Sequence, residues 1–248
     1  MSGHSKWATI RRKKGALDAK RGKLFTKLIK ELTIAAREGG GDPAGNPRLR
    51  LAVDNAKAAN MPADNIDRAI KKGTGELEGT TISELTYEGY GPGGIALLVE
   101  VATDNKNRIV AEVRHLFSKH NGNMGESGSV AWMFEKKGII TLPKQGKSED
   151  EIMEIALNAG AEDMHTQDEF YEIQTDVESF EPVRKALLER KLTIDNASLQ
   201  WIAKNTININ GENAEKMMKL IEGLEDCDDV QNVFSSADFD EEFIKQQS

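Results

Sequence analysis

The 248-residue chain is 38% hydrophobic, carries a formal net charge of −8 and contains one cysteine, Cys227. That is enough apolar material for two or three cored domains, and a lone cysteine excludes both an intramolecular disulfide and a paired-cysteine metal or redox site, which fits a reducing compartment. The longest strongly apolar run, residues 95–99, stops at Glu100 and is too short to cross a bilayer, so the expectation is a soluble, cytoplasmic protein without a membrane partner.

Charge is sorted along the chain. Ten cations, Lys6, Arg11, Arg12, Lys13, Lys14, Lys20, Arg21, Lys23, Lys27 and Lys30, fall in the first thirty residues against one acid, Asp18. Residues 1–79 hold 17 basic and 9 acidic side chains, a net of +8, and residues 80–248 hold 16 and 32, a net of −16. Such a dipole points one end at a polyanion, nucleic acid first, while the remainder keeps the chain soluble and away from it. Residues 2–22 scatter Trp7, Ile10 and Leu17 among charges and small residues. A segment without a periodic apolar face cannot offset its ordering entropy, which predicts an arm, flexible when free. It superficially resembles an organelle transit peptide. It has too few bulky apolar residues for an interfacial membrane helix.

From Gly22 onward Leu24, Phe25, Leu28, Ile29 and Leu32 fall on one helical stripe that ends at Gly39, Gly40 and Gly41, with Lys23, Lys27 and Lys30 turned toward solvent or a ligand. Asn46 and Pro47 supply a cap and a first helical position for a helix burying Leu49, Ala52, Val53 and Ala56. Pro62 and Asp64 open a third helix carrying Ile66, Ala69 and Ile70, closed by Gly73. Residues 22–75 therefore predict a three-helix unit. Beyond it, residues 85–90 and 95–102 read as strands joined by a tight turn at residues 91–94, followed by a helix capped near Asp104 with Ile109, Val110, Val113, Leu116 and Phe117 on one side. Val130, Trp132 and Phe134 alternate as one face of a strand. Next come a strand at 139–142, a helix at 148–158, strands near Glu162 and at 170–175, a helix at 180–190 and a strand at 199–202, a β-α-β-β-α-β order. A helix at 212–224 and a strand holding Val230, Asn232 and Phe234 complete the chain. The economical arrangement is α+β and multidomain: residues 1–79 as basic arm and three-helix domain, then two α/β domains of ferredoxin-like β-α-β-β-α-β type. Residues 136–205 are inserted into a discontinuous domain of residues 80–135 and 206–240.

Several long strings carry a resemblance. GHSKW at residues 3–7, DAKRGKLFTKLI at 18–29, AAREGGGDP at 35–43, NPRLR at 46–50, AKAANMP at 56–62, NIDRAIKKGTGE at 65–76, YEGYGPGG at 87–94, TDNKNR at 103–108 and DVQNVFS at 229–235 closely resemble the YebC family of bacterial transcriptional regulatory proteins. The likeness spans roughly residues 2 to 240. It implies a cytoplasmic, three-domain, DNA-binding regulator. It also admits a role in translation, since a mitochondrial member looks like a translational activator of cytochrome c oxidase subunit I and bacterial members are linked to the ribosome. Because the family's motif starts at residue 3, the resemblance leaves no room for a presequence. Two departures stand out: KHNGN at residues 119–123, where the family pattern has a glycine near Asn121, and the spacing of cations in RRKKGA at residues 11–16, which varies among relatives.

The ten early cations are the candidate phosphate contacts, with Trp7 stacking on an exposed base or anchoring the arm. Arg48, Arg50, Lys71, Lys72, Lys106 and Arg108 are secondary candidates. Lys71 and Lys72 equally offset a helix dipole, and TDNKNR equally serves as a capping turn that sends Lys106, Asn107 and Arg108 outward. No catalytic or metal site assembles: His4, His115, His120 and His165 lack ligand spacing, the turn at residues 91–94 lacks the lysine and hydroxyl of a phosphate loop, and GTGE at residues 73–76 follows a helix instead of opening one. The acid pairs Asp228 with Asp229, and Asp240 with Glu241 and Glu242, read as a solvated, frayed end. The expectation is a non-enzymatic nucleic-acid-binding regulator without cofactor, its target DNA or, alternatively, ribosomal RNA, with the acidic α/β domains free to meet polymerase or ribosomal protein.

Overall fold

The computed structural model describes residues 18–144, 148–167 and 169–246. Of these, Glu135–Ile202 form one compact unit, and the described residues on either side, 18–134 and 203–246, form the other.

The second unit begins with three helices, α1 (Asp18–Gly39), α2 (Pro47–Ala58) and α3 (Ala63–Thr74). Their shared core holds Leu32, Ala35, Leu49, Ala52, Val53, Ala56, Ile66 and Ala69, with Phe25, Leu28 and Ile29 packed against it. Leu24, expected on the same stripe, is 44% exposed. At 100° per residue it lies at the stripe's margin, and Lys23, Lys27 and Lys30 occupy the opposite face. The Asn46 Oδ1 accepts from the Leu49 N–H while its amide donates to the Ala35 and Gly40 carbonyls, so one buried side chain starts α2 and holds the end of α1. Gly73 does not end α3. A Cβ there would sit 2.3 Å from the Thr33 carbonyl oxygen, which marks the close crossing of α1 and α3, and the left-handed Gly75 (φ 84°) ends the helix instead.

The same unit continues with β1 (Ser83–Gly91) and β2 (Ile95–Thr103), an antiparallel hairpin in register from Ser83 opposite Thr103 to Gly91 opposite Ile95. Helix α4 (Lys106–Lys119) follows, capped by Asn105 one residue beyond the expected Asp104, then the short β3 (Asn123–Met124). Asn121 takes a left-handed turn (φ 61°). After the excursion through the other unit come β8 (Ile207–Ile209), α7 (Gly211–Asp226), β9 (Val230–Ser235), β10 (Ala237–Phe239) and α8 (Glu241–Gln246). The sheet order is β3-β1-β2-β9, and β8 pairs parallel with β10. The core joins Ile95, Leu97, Val99 and Val101 of β2 to Ile109, Val113 and Phe117 of α4 and to Met217, Leu220 and Leu224 of α7. Each such side chain contributes about 1.5–3 kcal/mol when fully buried.

Glu135–Ile202 contain most of β4 (Phe134–Pro143), then α5 (Glu149–Asn158), β5 (Asp163–Thr166), β6 (Phe170–Thr175), α6 (Phe180–Glu189) and most of β7 (Asn196–Ala203). The β-α-β-β-α-β order folds into a sheet ordered β5-β6-β4-β7, the ferredoxin-like arrangement, with β6 antiparallel to both β4 and β5. Ser148 and Glu151 close a capping box on α5.

The alternation of Val130, Trp132 and Phe134 does not make a strand. Residues Ala131–Met133 form a single 3₁₀ turn, and β4 starts only at Phe134. The cause is Glu88 on β1, 5% exposed, whose carboxylate accepts from the main-chain N–H groups of Gly128, Val130 and Ala131 at 2.6, 2.7 and 2.8 Å. Those donors are not available to a neighbouring strand.

Candidate nucleic-acid interface

Lys6, Trp7, Arg11, Arg12, Lys13 and Lys14 lie outside the described residues, as do the side chains of Lys20 and Arg21. The remaining three early cations follow one another along α1, and their placement corrects the expectation that they face solvent or a ligand. Lys23 donates to the carbonyl and carboxylate of Asp226, Lys27 to the Glu225 carbonyl, and Lys30 to the Asp228 carbonyl and, at 2.5 Å, to Asp229 Oδ1. The last carbonyls of a helix lack intrahelical partners and carry the negative end of its dipole, so three ammonium groups on one helix face cap the C-terminal end of α7 and the turn after it.

Asp229 is the centre of that contact. It is 7% exposed, not part of a solvated end, and it accepts from Lys30, from the Thr103 hydroxyl at 2.9 Å and from Arg108 Nη2 at 2.6 Å. Burial alone would raise its pKa; the bonds from Lys30, Arg108 and Thr103 outweigh burial and hold it below the usual aspartate value. The TDNKNR segment is therefore a working junction: Asn105 caps α4, Thr103 receives the Asn105 N–H, and Arg108 bridges Asp104 and Asp229 instead of pointing free. Lys106 and Asn107 of that group are exposed without a side-chain hydrogen bond or ion pair among the described residues.

The other secondary candidates divide in the same way. Arg48 is a hub, bonded to Glu31, Glu38 and Glu84 at 2.6–3.0 Å, and its pKa is raised chiefly by the Glu31 bond, with burial opposing and Glu84 adding. Arg50 donates to the Pro43 and Ala44 carbonyls, and Lys71 pairs with Asp67 one turn earlier on α3. Lys72 is exposed and has no such partner among the described residues; Arg68, one turn before it, and Lys57 on α2 share that condition. Sequence reasoning passed over Arg68 and Lys57, although the i, i+4 spacing of Arg68 and Lys72 placed them on one helix face. Among the described residues no group of three His, Cys, Asp or Glu could hold a metal ion, and no helix is long and apolar enough to cross a membrane.

The architecture is that of an α+β protein with an N-terminal helical region and antiparallel sheets. It is shared with the crystal structure of a conserved hypothetical protein from Aquifex aeolicus, 48% identical, at a TM-score of 0.85 over 90% of this chain and 93% of that one. Residues 5–76 match the family model for the TACO1/YebC protein N-terminal domain, and residues 82–237 match that for the TACO1/YebC second and third domain. The chain belongs to the TACO1/YebC family. Similar proteins include one from Chlorobaculum parvum, 59% identical over 97% of this chain and 96% of its own length. Another, from Desulfosudis oleivorans, is 57% identical over 96% of each; both bear the name probable transcriptional regulatory protein.

Proposed function

We propose that this protein is a non-enzymatic, cytoplasmic regulator of gene expression that binds nucleic acid through residues 1–79, with DNA as its working target. The observation that carries the reading is the charge division, net +8 over residues 1–79 against −16 over residues 80–248. With Lys23, Lys27 and Lys30 bonded to the α7 end, the phosphate contacts fall to Lys6, Arg11, Arg12, Lys13, Lys14, Lys20 and Arg21. Lys57, Arg68, Lys72 and Lys106 add exposed charge. The names of the relatives support a regulatory role. In this reading residues 80–135 with 206–240, and the inserted residues 136–205, form acidic domains that meet polymerase or ribosomal protein.

A ribosome- or RNA-binding translational activator is the second reading, favoured by the exposed aromatic residues Tyr90 and Trp132, a surface suited to unpaired bases. Competition at about 150 mM salt, where the Debye length is about 8 Å, between purified ribosomes and genomic DNA fragments separates the two. Retention on a discrete set of DNA fragments supports the first, and arm-dependent partition onto ribosomes the second. Binding that survives charge reversal at Arg11, Arg12, Lys13 and Lys14 overturns the arm's role in either.

A further inference from the structure

Trp132 is 67% exposed, the most exposed large hydrophobic side chain among the described residues, and Tyr90 is 36% exposed. Large aromatic surface left in water needs a reason, and neither ring is loosely held. The Trp132 indole N–H donates to the Ser129 carbonyl at 3.1 Å, and the Tyr90 hydroxyl donates to the same oxygen at 3.2 Å. Fixing both polar tips on one acceptor brings the rings together and leaves their faces for another group. The acceptor is itself immobilised, because the buried Glu88 carboxylate grips the chain on both sides of it, at Gly128 and at Val130 and Ala131. Lys204 supplies a cation at the same place: its ammonium donates to the Trp132 carbonyl at 3.0 Å, and among the described residues no carboxylate pairs with it. The exposed Glu126 and Ser127, close to Ser129 in sequence, and the exposed Lys204 and Asn205 are polar.

We propose that Tyr90, Trp132 and Lys204 form a site for an unpaired nucleobase of single-stranded nucleic acid, the base stacking on the ring faces and the ammonium meeting its phosphate. Stacking tolerates any base and requires the base to be out of a duplex, so the site distinguishes single strands from paired ones without reading sequence. It deepens the nucleic-acid reading and rests on it.

The test uses the full chain with a short fluorescein-labelled oligouridylate and a duplex of the same length. Replacing Trp132→Ala is expected to weaken the single strand roughly 5- to 150-fold, the equivalent of about 1–3 kcal/mol per stacked base, with duplex affinity unchanged. Trp132→Phe, which keeps an aromatic face, should restore most of the loss. In a Trp7→Phe, Trp201→Phe variant, which leaves Trp132 as the sole tryptophan, its emission should be quenched as the single strand saturates. Unchanged single-strand affinity in Trp132→Ala, or unquenched emission at saturation, overturns the site. If charge reversal in the arm still weakens binding in that case, the broader reading survives. A wild-type chain that binds neither oligonucleotide removes both.

Discussion

Substituting Glu88→Gln tests whether one buried carboxylate organises the loop between β3 and β4. Its Oε2 accepts from the Val130 and Ala131 N–H groups and its Oε1 from Gly128. An amide keeps one acceptor oxygen and presents an NH₂ group to the remaining donor. One charge-assisted bond, about 1.5–3 kcal/mol, is lost and two fall to neutral strength, so the total is about 3 kcal/mol. At about 2–4 °C per kcal/mol for a unit of this size, the melting temperature should drop roughly 6–12 °C. The pH dependence follows from the direction of the shift. Burial would raise the Glu88 pKa, but the three N–H donors outweigh it and the folded value lies below the ordinary one. The contribution is then complete above the unfolded glutamate value of about 4.3 and is lost as pH falls through the lower folded value. Melting curves of both proteins from pH 8 down to pH 3 should show a gap that is constant near neutrality and narrows in acid. A variant that melts with wild type at pH 7, or a gap undiminished at pH 3, would refute the assignment.

Gly73→Ala should destabilise by about 2 kcal/mol or more in a far-UV melt, because a methyl group 2.3 Å from the Thr33 carbonyl forces α1 and α3 apart and overwhelms alanine's better helix propensity. A higher melting temperature would show that the crossing relaxes. The Cys227 thiol, pushed up to about 12 by burial and by Glu112, should resist iodoacetamide at pH 8 while native and react once unfolded. Rapid alkylation of the native chain contradicts that placement.

What could be read from the chain alone depended on how far the determining contact reached. Asn46 with Pro47, the buried set Leu49, Ala52, Val53 and Ala56, and the Ser148 helix start are local devices, and all were legible. The ferredoxin-like order of Glu135–Ile202 was legible because each element there follows its neighbour with ordinary spacing. Trp132 misled, because strand alternation was overridden by Glu88, more than forty residues earlier, whose role no local pattern displays. The lysines of α1 misled for the same reason at greater distance: Lys30 and Asp229 are 199 positions apart. DVQNVFS was visible as a motif, but nothing near Asp229 in sequence says that two cations and a hydroxyl converge on it.

That convergence changes what the N-terminal charge excess means. A cation bonded to a carboxylate or to helix-end carbonyls is not available to release counterions from a polyanion, so the salt dependence of binding counts only the cations left over. Each phosphate contact contributes about −0.9 to the slope of log affinity against log salt on duplex DNA, and about −0.7 on a single strand. If Lys23, Lys27 and Lys30 stay on α7, replacing all three with glutamine should loosen the α1 docking, visible as a lower melting temperature, and leave the slope unchanged. Charge removal at Arg11, Arg12, Lys13 and Lys14 should do the reverse, flattening the slope by up to about 3.6 on duplex DNA while the melt stays put. A slope that flattens by about 2 to 3 in the triple glutamine variant would mean that nucleic acid draws these lysines off the acidic end of α7. Binding and the docking of α1 would then be competing uses of one basic helix face, and measured affinity would report the difference between them.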